Sequence, residues 1–288
     1  MPKLFQPSKL LFGTAGVPLS TPERNISNGI AHVRKLGLDA MELEFVRQVN
    51  VSKEKAPQVK EIAAKNNVIL TCHGQYFINL NSLETEKVTA SVQRILNAAR
   101  IAWLCGGYSL TFHAAYNMEM PPEKVYEKVK KEMQGILRTL KNEGNEIWIR
   151  PETTGKGTQW GTFQETVKLS EEIEQVLPCI DFSHVHARNA GPELNAGRYN
   201  NYKEFSEILS HVEKHLGKEA LNNMHIHVSG IEYGQKGEKN HLNLPDSDLK
   251  YKELIRAFKD FKVKGVVISE SPNIEGDALL MQREYEKL

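Results

Sequence analysis

The sequence has only three cysteines in 288 residues, Cys72, Cys105 and Cys179. They form no C-x-x-C pair and are odd in number, which argues against a disulfide framework and fits a reducing compartment. Net charge is nearly absent as well: 37 lysines and arginines stand against 36 aspartates and glutamates, leaving +1. No global field advertises nucleic acid, although a local basic patch would escape such a count. No apolar run reaches the roughly 18 residues of a membrane span, and the N-terminal MPKLFQPSKLLFG lacks a signal-type apolar core. A soluble, cytoplasmic chain with no membrane partner is expected. Linkers and low-complexity stretches are missing, so one domain over 1–288 is the economical reading. No G-x-G-x-x-G follows the first apolar run, since FGTAGVP has another spacing, and this disfavours an open dinucleotide-binding sheet.

What the chain does contain is a repeated alternation. Short apolar runs at 10–16, 39–45, 68–74, 108–114, 146–152, 179–184, 224–230 and 265–270 read as strands, and segments such as 84–104, 121–142 and 159–176 have helical period between them. Pro121-Pro122 suits a helix start. Eight strands that alternate with helices predict an α/β fold, the (β/α)8 TIM barrel.

In such a barrel the chemistry sits at the C-terminal ends of the strands. His73 ends the third run, His113 the fourth, Glu152 the fifth, Asp181 and His184 the sixth and Glu270 the eighth, while His225 enters the seventh. Imidazole mixed with carboxylate suits zinc and other first-row metals, whereas magnesium or calcium would favour oxygen throughout. Three carboxylates gathered in one mouth repel each other unless cations compensate them, so more than one metal ion is expected. Paired metals of this kind serve in-line displacement at phosphorus. Each residue taken alone has a plainer reading: a hydrogen-bonded structural histidine, a rim salt bridge for Glu152 or Glu270, a helix-capping turn for Asp181-x-x-His184. His211 and His215 have H-x-x-x-H spacing, but no glutamate follows the first, and the segment reads as an amphipathic exterior helix.

The stretches TCHGQYFINL, LTFHAAYN, RPETTGKGTQWGT, PCIDFSHVHARNAG, MHIHVSG, KNHLNL and ISESPN, in that order over 68–273, resemble successive motifs of the endonuclease IV family of apurinic/apyrimidinic endonucleases, within the xylose isomerase-like TIM barrels. The resemblance implies a zinc-dependent enzyme of base excision repair. Its substrate would be damaged double-stranded DNA, cut on the 5′ side of an abasic site to leave a 3′-hydroxyl. It implies His73 and His113 at a first zinc, Asp181, His225 and Glu270 at a second, Glu152 as the bridge, and His184 and His241 at a third. Glu152 and Glu270 are the expected catalytic carboxylates. Tyr76 matches the family's DNA-inserting tyrosine, and Arg47 in FVRQV is the candidate for its partner. A monomer is expected.

Two departures stand out. The aspartate two residues before the third-site histidine is Lys239 here, with Glu238, His227 and His186 as the available substitutes, so two or three zinc ions are expected. The family's HLND at the seventh strand is read here as HIHV. The KGTQWGT stretch, with its lysine, glycines and aromatic, could supply phosphate contacts. A sugar or sugar-phosphate isomerase or epimerase of the same barrel is the alternative activity, with metals polarising a carbonyl and carboxylates moving protons. A metal-binding barrel without turnover is the non-catalytic alternative.

Overall fold

Alternation within the eight runs decides which side chains face the barrel axis. The computed structural model describes residues 7–189 and 199–288, so the last two residues of PCIDFSHVHARNAG lie outside it. The strands are β1 Leu10–Ala15, β2 Ala40–Glu44, β3 Ile69–His73, β4 Ser109–Phe112, β5 Trp148–Pro151, β6 Cys179–Asp181, β7 Met224–Val228 and β8 Gly265–Ser269. They form one parallel sheet in the order β5-β4-β3-β2-β1-β8-β7-β6. Parallel bridges Ile149–Val176 and Glu152–Cys179 close the two ends on each other, and the Thr153 N–H donates to the Cys179 carbonyl at 3.0 Å. The expected TIM barrel is the observed fold.

Met41, Leu43, Leu70, Leu110, Phe112, Ile149, Ile180, Ile226 and Val267 face outward into the apolar core that the strands share with the helices. Each such side chain contributes about 1.5–3 kcal/mol on burial, so the outer face of the sheet holds the barrel together. The inner face is different. Leu11, Ala40, Val266 and Ile268 form a small apolar cluster of their own. Around the arc from β2 to β7 the alternate positions are buried and polar: Glu42, Thr71, His73, Thr111, Arg150, Glu152, Asp181, His225 and His227. Barrel interiors are usually filled with branched aliphatics, and here that filling gives way to chemistry.

The helices among the described residues are α1 Ile26–Lys35, α2 Ala56–Asn66, α3 Thr85–Leu104, α4 Pro122–Asn142, α5 Phe163–Glu172, α6 Phe182–Arg188, α7 Tyr202–Leu221, α8 Tyr251–Asp260 and α9 Glu275–Glu286. Two depart from the sequence expectation for local reasons. The helix expected over 159–176 begins only at Phe163, because Gln159–Trp160 pairs antiparallel with Ala115–Tyr116 and Thr162 with Glu165 forms a capping box. The sixth strand stops at Asp181, whose side chain accepts from the His184 N–H at 2.7 Å and caps α6. Within α7 the chain breaks helical geometry at Gly217, at φ 77°, a conformation that favours glycine. His211 and His215 lie on this helix away from the mouth, His211 against the Phe163 ring and His215 paired with Glu171 at 2.9 Å. Among the described residues no helix is long and apolar enough to cross a membrane.

Candidate metal centre at the barrel mouth

Three groups of ligand-type side chains converge where the strands end. The ligand atoms of His73, His113 and Glu152 all lie within 4.8 Å of one another, as do those of Glu152, Asp181, His227 and Glu270, and those of His184, Glu238 and His241. Glu152 belongs to two of the groups. Its Oε2 is 3.3 Å from His73 Nε2 and 3.5 Å from His113 Nε2, and its Oε1 is 3.2 Å from His227 Nδ1 and 3.3 Å from His184 Nδ1. Backbone carbonyls fix two of the rings: His73 Nδ1 bonds Gly74 O at 2.7 Å and His241 Nδ1 bonds Glu270 O at 3.1 Å, which leaves each Nε2 aimed inward.

The donor atoms fit metal ions better than they fit each other. Glu152 Oε2, Asp181 Oδ2 and His113 Nε2 are buried, yet none has a hydrogen bond of acceptable angle. A native interior rarely leaves such atoms unpartnered, and cations held in the two groups that share Glu152 would satisfy all three.

The electrostatics carry the same strain. Burial would raise the Glu152 carboxyl, but His227 and His113 outweigh it and hold it well below the carboxylate range. Burial would lower His73, but Glu152 outweighs it and pushes the imidazole up to about 10. His184 is raised well above the usual imidazole range against burial by Asp181, Glu152 and Glu238. Burial pushes the Glu270 carboxyl up to about 8, despite the opposing charge of His227. For chelator-stripped protein the three raised groups, His73, His184 and Glu270, share one sign, opposite to that of Glu152. A raised folded value means stability complete below the unfolded value and lost as pH climbs through the folded one. His73 therefore loses its contribution between about pH 6.5 and about 10, and Glu270 loses its own by about 8. A metal ion held there would have to displace protons from the same imidazoles, so it would bind more tightly as pH rises. The gap in Tm between metal-loaded and stripped protein should widen from pH 6 to pH 9 in differential scanning fluorimetry; a constant or narrowing gap would contradict this.

The geometry departs from the expected ligand set at the seventh strand. His227, not His225, stands beside Glu152, Asp181 and Glu270. Both histidines face inward, but His227 is level with Asp181 in the strand register while His225 is level with Cys179, one layer deeper. His225 instead sits between Ser109 Oγ, 2.8 Å from its Nδ1, and Glu42 Oε2, 3.0 Å from its Nε2. The last inward position of MHIHVSG was the signal to use.

The third group is completed by Glu238. The antiparallel hairpin Gly230–Gly234 with Gly237–Leu242 pairs Glu232 with Asn240 but Tyr233 with Glu238, so Lys239 is the extra residue of a β-bulge. The bulge shifts the parity of the strand. Lys239 turns outward to Glu232 at 3.4 Å, whereas Glu238 Oε2 lies 3.6 Å from His184 Nε2, and His241 Nε2 lies 3.4 Å from the same atom. Gly155 makes room for this approach, since a Cβ there would meet Glu238 Cβ at 2.6 Å and His184 Cδ2 at 3.2 Å. His186 has another role, buried against the Tyr233 ring and 3.1 Å from Asp248.

At the rim, Tyr76 is 56% exposed and packs edge-to-face with His73, ring centroids 5.7 Å apart. Arg47 is exposed in the loop after β2, tied to the Tyr76 loop where Gln75 Nε2 donates to Arg47 O and Tyr76 N donates to Val46 O. Trp160 of KGTQWGT is fully buried, so the aromatic of that stretch cannot reach a ligand; Gly157 and Thr158 are exposed and Lys156 is half-buried. The carboxylates Glu42 and Glu44 on β2 had no place in the expected site. They adjoin a cavity of about 290 Å³ beside the mouth, whose lining includes Gly16, Val17 and Asn50. Burial and the charge of Glu42 push the Glu44 carboxyl up to about 7.

The model of the xylose isomerase-like TIM barrel family matches residues 30–287. The chain belongs to that family. Within it, the chain is 44% identical over 279 residues, 97% of its length and 98% of the relative's, to the uncharacterized protein MJ0133 of Methanocaldococcus jannaschii. It is 22% identical over 210 residues to a probable endonuclease 4 of Mycoplasma pneumoniae, covering 71% of this chain and 68% of that one. Among solved structures, endonuclease IV from Thermus thermophilus superposes with a TM-score of 0.71 at 19% identity, covering 96% of this chain and 100% of that one. A D-tagatose 3-epimerase-like protein also reaches 0.71, at 16% identity over 95% and 96% of the two chains. Those two superpositions establish the shared fold, and the distant endonuclease 4 relatives agree with the resemblance carried by the motifs.

Proposed function

We propose that this protein is a zinc-dependent endonuclease that cleaves DNA on the 5′ side of abasic or damaged sites. The observation that carries the reading is Glu152, a buried carboxylate shared by two ligand groups, with a third group against them through His184. Zinc or similar ions held there would supply Lewis acidity toward phosphoryl oxygens and make water a competent nucleophile at neutral pH. His73, His113 and Glu152 would hold one ion, Glu152, Asp181, His227 and Glu270 a second, and His184, Glu238 and His241 a third. Relatives named endonuclease 4 support the DNA substrate. Tyr76 and Arg47, side by side on two rim loops, supply a stacking ring and a cation to the distorted duplex.

One observation favours a second reading. Glu152, Asp181, His227 and Glu270 alone make a complete four-donor site for a single ion, and the neighbouring cavity of about 290 Å³ has room for a monosaccharide. An epimerase or isomerase of small sugars would need no more. Incision of a labelled duplex carrying one tetrahydrofuran abasic analogue separates the two: strand cleavage 5′ to the analogue is expected, and an intact strand with turnover of free ketohexoses would favour the sugar enzyme.

Tyr76 should matter for DNA and not for metal. Tyr76→Ala is expected to weaken binding of the abasic duplex by about 1–3 kcal/mol, the worth of an aromatic stacking contact, and to leave the metal content unchanged. Equilibrium fluorescence anisotropy with elemental analysis of the same sample checks both halves.

A further inference from the structure

We propose that Glu42, Cys179, His225 and the inner nitrogen of His227 form a buried site for a divalent cation of zinc type, one layer beneath the mouth. All four residues are fully buried. Cys179 and His225 are paired in the β6–β7 register, His227 is two residues further along β7, and Glu42 reaches in from β2. The ligand atoms of Cys179, His225 and His227 lie within 4.8 Å of one another.

The carboxylate geometry points to an ion and not to a hydrogen-bonded trio. Glu42 Oε2 is 3.0 Å from His225 Nε2 and Glu42 Oε1 is 3.0 Å from His227 Nε2. Yet none of these four atoms has a hydrogen bond of acceptable angle. In an imidazole–carboxylate hydrogen bond the ring N–H axis points at the oxygen. Around a tetrahedral zinc, donors about 2.0–2.2 Å from the ion stand roughly 3.0–3.5 Å apart, each aimed at the shared centre. Short contacts that lack hydrogen-bond angles favour an ion beside these rings over a hydrogen-bonded trio.

His225 adds a further argument. Its Nδ1 bonds Ser109 Oγ at 2.8 Å. That contact orients the ring so that Nε2 faces Glu42 Oε2 at 3.0 Å. One sulfur, two nitrogens and a carboxylate oxygen form a donor set suited to zinc. Binding would release the Cys179 thiol proton to solvent, since the thiolate is the ligand. His227 would then join two sites through one ring as an imidazolate, its remaining ring proton also released to solvent, with Nδ1 facing Glu152 and Glu270 and Nε2 facing Glu42.

Cobalt(II) reads this out, because the three mouth groups contain no sulfur donor. Full-length protein loaded with cobalt is expected to show a near-ultraviolet thiolate-to-cobalt charge-transfer band that disappears in Cys179→Ser, with loss of one equivalent of bound cobalt. The band should survive in a Cys72→Ser, Cys105→Ser double variant, which assigns it to Cys179 even if Cys179→Ser fails to fold. No such band with the mouth saturated, or a band that persists in Cys179→Ser, would overturn the proposal and leave Glu42 as an anchor for the two rings. Incision of abasic DNA is compatible with either outcome, so this test stands apart from that of the DNA reading.

Discussion

Glu152→Gln is expected to reduce incision of an abasic duplex by about a hundredfold or more, since even groups that merely hydrogen-bond a metal ligand are worth 10–100-fold. The substitution keeps the shape of the side chain and the backbone bond from Glu152 N to Phe112 O at 3.0 Å, so the barrel should still close. What it removes is the charge. His73, His113, His184 and His227 all face the two Glu152 oxygens at 3.2–3.5 Å, and a neutral amide offers them one acceptor and one clashing donor. Both ligand groups that share Glu152 lose affinity together, so elemental analysis should find fewer bound ions in the variant. Near-normal incision with full metal content would show that the two groups do not act through this carboxylate.

The second large effect concerns the hairpin. Glu238→Gln should lower incision by about 10–100-fold and remove one equivalent of metal, because Glu238 is the carboxylate grouped with His184 and His241. Lys239→Ala should do neither. Lys239 is half-exposed, paired across the hairpin with Glu232, and placed outside the group by the bulge. Titration of bound metal with a chromophoric chelator compares the two variants directly, and equal losses in both would mean the bulge does not separate their roles.

That bulge also marks the limit of what the chain alone discloses. The eight strands were legible because each is a short apolar run whose outward residues pack on helices, as in MELEF and CIDF, and the observed ends fall within a few residues of the expected ones. His73, His113, Glu152, Asp181 and Glu270 were legible because they end such runs. His225 was preferred on the family motif and His227 stood only as a substitute, because both have inward parity and only the register with β6 tells which one reaches the mouth. Lys239 looked like a lost ligand because it stands two residues before His241, where the resembled family has an aspartate; one extra residue in a hairpin shifts which residue faces the group, and no local composition announces it. Glu42 and Glu44 gave a readable signal, two carboxylates at period two between Met41, Leu43 and Phe45, which places both inside a barrel whose outer face is apolar.

The shared role of Glu152 is tested most directly by an anomalous-difference map collected at the zinc edge from crystals of zinc-loaded protein. The predicted result is one peak in each mouth group: at His73 and His113, at Asp181, His227 and Glu270, and at His184, Glu238 and His241. Glu152 oxygens should lie about 2.0–2.2 Å from the first two. A single mouth peak held by Glu152, Asp181, His227 and Glu270, with the His73–His113 and His184–His241 pairs bare, would contradict the account and give the barrel to a mononuclear sugar enzyme.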